Sequence, residues 1–247
     1  MTLFSEEFAE PYHSDRDGAL NESLQKHVKP AISLKKNNQT ITILDMCFGL
    51  GYNTLATLHY LKSLQLERQV HIISPEFDRS LIESLGAFTY PAEFDFLKPI
   101  IEKLSRDFVY RDEQLYIEIV IGDAREILPT LKTKFDIIYQ DAFSPTHNPL
   151  LWTSEYFAEL RSLIKDDGVL TTYSTAATVR MGLDENGFKL FNYKGDKIRA
   201  SMVASPKMLR SELEFIDMEL KKIRNPDAKS MRDAEYQKES NVTSNLP

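Results

Sequence analysis

Four times along the chain an apolar run ends in glycine or a carboxylate: Asp45-Met-Cys-Phe-Gly-Leu-Gly-Tyr-Asn53, Glu76, Gly122-Asp123-Ala124 and Asp141. Each residue type suits one part of an adenosine-like ligand. Gly49 and Gly51 permit a tight turn and a close approach of ligand to backbone, with Asp45 and Phe48 before the turn and Asn53 opening the helix behind it. Glu76 lies at the spacing where a carboxylate accepts both hydroxyls of an adenosine ribose. Asp123 can accept a hydrogen bond from an adenine amino group beside Ala124, or it can simply cap the next helix. A pyrophosphate prefers a third glycine, and Cys47 stands in its place, so a dinucleotide dehydrogenase is the weaker reading.

These residues need a frame that brings them together. From about Ile41 onward apolar runs alternate with amphipathic stretches, which predicts a parallel sheet covered by helices. The predicted strands are 40–46, 70–74, 115–121, 135–140, 168–174, 189–193 and 199–204, with helices over 53–66, 124–131, 154–164 and 176–186. The last two strands are too close for a parallel crossover and predict an antiparallel hairpin. In such a sheet ligands bind beyond the carboxyl ends of the strands, where strand order reverses. All four chemical segments fall at such ends. Residues 1–205 are expected to form one domain with an N-terminal extension and a helical insertion near 81–113. Residues 206–247 are expected to form a helix and a disordered end.

The arrangement resembles the class I S-adenosylmethionine-dependent methyltransferase fold, an α/β, Rossmann-like architecture with a seven-stranded, mostly parallel sheet whose last strand is antiparallel. The segment Asp141-Ala-Phe-Ser-Pro-Thr-His-Asn-Pro-Leu-Leu-Trp-Thr153 falls where that fold presents its acceptor. Phe143 is a ready stacking platform for a base. Trp152 either contacts substrate or packs the loop onto the domain.

This loop, DAFSP-x-x-NP-x-x-W, is similar to that of the methyltransferase half of MnmC, which finishes 5-methylaminomethyl-uridine at the tRNA wobble position. FGLGYN (48–53), TYSTAATVRMGLDENGF (172–188) and YHSDRDGALNES (12–23) extend the resemblance over about residues 8–204. It implies S-adenosyl-L-methionine as cofactor, no metal and no flavin, tRNA as partner, and methylation of 5-aminomethyl-(2-thio)uridine. Asp141 would then stand nearest the amine, with Phe143, Ser144, Pro145, Asn148, Trp152, Lys197 and Arg199 as substrate contacts. The chain departs from the family at Cys47 (usually glycine), His147 (usually lysine) and Met181 (usually basic), and its basic segment is reduced to Lys194-Gly-Asp-Lys197-Ile-Arg199. The resemblance covers the methyltransferase half and not the flavin oxidase half, so another enzyme is expected to supply the aminomethyl-uridine.

Composition narrows the field further. The single cysteine and the acidic start predict a cytoplasmic protein without disulfides, and no apolar run suffices to span a bilayer. His13, His27, His59, His71 and His147 show no metal-ligand spacing, and no Ser/His/Asp triad is apparent. The net charge of −7 conceals two regions: residues 189–247 hold 12 Lys/Arg against 9 Asp/Glu, net +3, leaving −10 for residues 1–188. Two alternatives stay open: a class I methyltransferase for another amine or small molecule, favoured by the acidic charge, and a catalytically silent interaction module.

Overall fold

A computed structural model of the chain describes residues 3–13, 18–196 and 198–240. A short hairpin comes first, β1 (Phe4–Ser5) and β2 (Glu10–Pro11). The next helical stretch runs through α1 (Ala19–Ser23), a π-helical turn (Leu24–Val28) and α2 (Lys29–Leu34). There follow β3 (Thr40–Met46), α3 (Tyr52–Ser63), β4 (Gln69–Glu76), α4 (Arg79–Ser84), α5 (Lys98–Asp107), β5 (Val109–Arg111), β6 (Leu115–Ile121) and α6 (Ala124–Ile127). The rest comprises β7 (Phe135–Gln140), α7 (Ser154–Leu163), β8 (Ile164–Thr172), α8 (Ala177–Glu185), β9 (Lys189–Tyr193), β10 (Ser201–Ser205), β11 (Glu214–Phe215), α9 (Met218–Arg224) and α10 (Asp233–Ser240).

The strand order is β11-β9-β10-β8-β7-β3-β4-β6-β5. β8, β7, β3, β4 and β6 are mutually parallel, while β10 inserts antiparallel between β8 and β9. The seven inner strands therefore carry the expected topology, and the short β5 and β11 add an antiparallel edge on each side. This is the α/β fold of class I methyltransferases. Side chains alternate between two cores, as a period of two requires. Ile43, Ile72, Ile137 and Val169 pack on one face with Val28, Ile32, Leu55 and Ile101. Leu44, Ile138, Leu170 and Met202 pack on the other with Phe157, Leu160 and Leu183.

Several boundaries shift for local reasons. The predicted 53–66 helix stops at Ser63 because Gln65 turns into the left-handed region, φ +53°. β8 begins at Ile164, before a bulge: Phe135 pairs with Ile164, but Ile137 pairs with Val169. Gly168 fits that bulge because a Cβ there would lie 2.5 Å from the Ile164 side chain. In the C-terminal segment, Asp233 of α10 pairs with the Arg125 guanidinium and accepts a 2.6 Å hydrogen bond from the Thr153 hydroxyl. Residues 237–240, given to the disordered end by composition, continue α10 as helix, and 241–247 lie outside the described residues.

Candidate functional site

The strand order reverses at β3, whose neighbours are β4 and β7, and a cavity of about 780 Å³ opens there beyond the carboxyl ends. Its first wall is the loop after β3. Cys47, Gly49 and Gly51 all have positive φ, 64°, 53° and 73°. A non-glycine residue in this conformation costs about 1 kcal/mol, so Cys47 is tolerated rather than favoured. Gly51 is required, because a Cβ would lie 2.7 Å from the Phe48 ring. Burial, reinforced by Glu76 and Asp141, pushes the Cys47 thiol well up, which makes it a poor nucleophile.

Glu76 ends β4 and is buried, yet it lines the cavity. Its Oε2 accepts the Gly49 N–H and its Oε1 the Asp78 N–H, both at 2.8 Å. Those bonds fix the carboxylate against the glycine turn while burial pushes its pKa up. Asp123 caps α6 through the Arg125 N–H at 2.8 Å and lines the cavity with Ala124. These residues fit an adenosine ligand, since each polar group faces the space a ribose or adenine would fill.

The second wall centres on Asp141, just past β7. Asn53 Nδ2 donates to its Oδ2 at 2.8 Å and also lies 3.5 Å from Asp45 Oδ1. His27 Nε2 lies 3.2 Å from Asp141 Oδ1. Burial alone would raise the Asp141 pKa, but His27, His13 and Asn53 together hold it below the usual carboxylate value. Asp45 also feels His27 and Asn53, but they support it less than burial opposes it. Burial outweighs its 2.7 Å hydrogen bond from the Thr54 hydroxyl, and its pKa is pushed up to about 7. The buried Asn53 Oδ1 is an acceptor without a hydrogen-bond partner among the described residues.

Of the expected acceptor contacts, Phe143 and Asn148 line the cavity beside Asp141. Ser144 and Pro145 are half-buried behind the lining, the Ser144 N–H donating to Glu10 Oε2 at 2.9 Å. Trp152 requires correction as a substrate contact: it is fully buried, and its indole N–H donates to the Phe143 carbonyl at 2.7 Å, bracing the loop from behind. Arg199 is exposed in the loop between β9 and β10, and Lys197 lies outside the described residues.

Sequence reading missed the N-terminal contribution. Phe8 stacks on Phe143 with ring centroids 4.7 Å apart, Tyr12 meets Phe143 edge-on at 5.1 Å, and the His147 imidazole bonds to the Phe8 carbonyl. His13 and Glu22 also line the cavity. The motif spanning residues 12–23 signalled that this segment mattered, but nothing in its spacing assigned a role. Among the described residues no cluster suits a metal ion and no helix is long and apolar enough to cross a membrane.

Comparison with known proteins agrees with this geometry. Residues 94–207 match a family described as S-adenosyl-L-methionine-dependent methyltransferase. The crystal structure of MNMC2 from Aquifex aeolicus superposes with a TM-score of 0.80 at 32% identity, covering 96% of this chain and 76% of that one. An uncharacterised protein of Methanocaldococcus jannaschii is 30% identical over 76% of this chain and 51% of its own length. The tRNA 5-methylaminomethyl-2-thiouridine biosynthesis bifunctional protein MnmC of Azoarcus is 30% identical over 76% of this chain. The chain covers only 31% of that bifunctional protein.

Proposed function

Because the chain belongs to the MnmC methyltransferase family and is an S-adenosylmethionine-dependent methyltransferase, we propose that it methylates the primary amine of 5-aminomethyl-(2-thio)uridine at the tRNA wobble position. The observation that carries this reading is the anionic Asp141 on the cavity wall, one loop away from the glycine turn and Glu76. A carboxylate there suits an alkylammonium. When bound, S-adenosylmethionine supplies an electrophilic methyl group on a cationic sulfur. Glu76 and Asp123 would hold its ribose and adenine.

An alkylammonium with a solution pKa near 10 has no lone pair and must lose a proton before it can attack. Asp141 would orient the amine and accept that proton; S-adenosylmethionine would supply the methyl to the freed lone pair, its C–S bonding pair leaving with sulfur. The product is a secondary ammonium, and the proton on Asp141 returns to solvent. Alignment of nitrogen against the methyl, enforced by the stiff Asp141–Thr153 loop, supplies most of the remaining rate.

A second reading, methylation of a free amine, is favoured by Phe8 on Phe143 and by Glu6, Glu7 and Glu10 on the cavity lining. Incubation with labelled S-adenosylmethionine and tRNA carrying 5-aminomethyl-2-thiouridine, followed by nucleoside mass spectrometry, separates the two. Label in the wobble nucleoside is expected. Transfer only to free amines would replace the proposal with the second reading.

A further inference from the structure

The π-helical turn between α1 and α2 buries Gln25, Lys26, His27 and Val28 in succession. π turns waste the regular helical hydrogen-bond pattern and occur mostly where function requires a particular side-chain direction. Here the turn delivers His27, fully buried, to the underside of Asp141. Its Nδ1 lies 3.1 Å from the Thr171 hydroxyl on β8 and its Nε2 lies 3.2 Å from Asp141 Oδ1. The Nε2 contact is one of ion-pair distance without hydrogen-bond alignment. Three segments remote in sequence, carrying Thr171, His27 and Asp141, are thus brought together, and Asn53 holds the other Asp141 oxygen.

We propose that His27 is a positioning residue for methyl transfer: its Nε2–H, set by Thr171 behind it, fixes the Asp141 carboxylate in its anionic form and aims it at the amine. The inference rests on the reading of Asp141 given above. His27 itself takes no proton from the substrate, because it does not line the cavity. The tautomer follows from the partners. Asp141 only accepts, so Nε2 carries the hydrogen, and Nδ1 is free to accept from Thr171. Other titratable groups act on Asp141 from neighbouring elements: His13 from the N-terminal segment, itself flanked by Glu22 and Lys26, Asp45 and Cys47 from β3 and its loop, and Tyr173 after β8. Of these, His13 and Asp45 share the neighbourhood with His27, so the test removes His27 alone.

Loss of the Nε2–H destabilises the carboxylate, so the Asp141 pKa rises and the acid limb of the rate moves to higher pH. Single-turnover methylation across pH, with S-adenosylmethionine affinity measured by calorimetry, tests this in His27→Ala and His27→Gln. His27→Ala should slow the chemical step by about 100-fold and raise the acid limb by about one pH unit, with cofactor affinity within about twofold of the wild type. His27→Gln, whose amide N–H can reach the same oxygen, should recover at least about tenfold of the rate. An unmoved acid limb, or equal losses in both variants, would overturn the proposal in favour of simple core packing. A wild type inactive on this tRNA defeats the substrate assignment, and imidazole 15N spectra then test His27 independently. Nε2 should be protonated, and its signal should move in Asp141→Asn. An unprotonated Nε2, or a signal indifferent to that substitution, rejects the positioning role.

Discussion

Asp45 and Glu76 end adjacent parallel strands, yet their surroundings separate their tasks. Glu76 receives two backbone N–H donors on the cavity lining, which hold its carboxylate in place. Glu76→Ala is expected to weaken S-adenosylmethionine by about 1 to 3 kcal/mol through lost charge-assisted hydrogen bonds, read by calorimetry; unchanged affinity would remove the ribose contact. Asp45 instead carries a burial cost. Its pKa of about 7 lies above its unfolded value, so the native state binds more protons between those values and this group's contribution to stability falls as pH rises from about 4 to 7. Asp45→Asn, which cannot ionise, should therefore raise Tm relative to wild type more at pH 8 than at pH 5. A gain independent of pH would show that ionisation of Asp45 is not the source.

At the scale of elements, the strand ends were readable because the fold itself dictates where ligands go, and Gly49, Gly51, Glu76 and Asp141 all occur where an apolar run stops. The helix bearing His27 was not. His27 and Asp141 are 114 residues apart, so no local spacing links them, and a π turn leaves no periodicity that distinguishes it from an ordinary helix. The burial of Trp152 was equally hidden, since an aromatic in a loop reads the same whether it faces ligand or core. The β1–β2 hairpin shows the consequence most plainly: Phe8 covers the ring face that a wobble base would use. If Phe143 is the base platform, Phe8 must give way, and Phe8→Ala should lower KM for tRNA several-fold while Phe143→Ala raises it. A higher KM in Phe8→Ala would make the hairpin part of the RNA surface instead.

Across the whole molecule, charge is divided between the cavity and the rim of the sheet. Acids dominate the cavity lining, with Glu10, Glu22, Glu76, Asp123 and Asp141 against Arg125 as its one Lys or Arg among the described residues. A phosphate chain is repelled there, whereas a single ammonium is attracted. Basic residues concentrate after 188, and β9 runs parallel to β8, so the loop that follows it opens on the same edge of the sheet as the cavity. Arg199 and Lys194 are exposed in that loop, on the Asp141 side of β3 rather than the Glu76 side. RNA would thus meet the rim while only the modified base reaches inward. If Lys197 and Arg199 are the main phosphate contacts, the logarithm of tRNA affinity should fall with the logarithm of salt at a slope of about 2 or less, since each neutralised phosphate contributes about 0.7 to 0.9. Replacing both with Ala should flatten that slope and leave S-adenosylmethionine binding unchanged. A steep slope that survives the double substitution would move the RNA surface to the basic residues between 207 and 232, and no tRNA affinity at low salt would favour the free-amine reading.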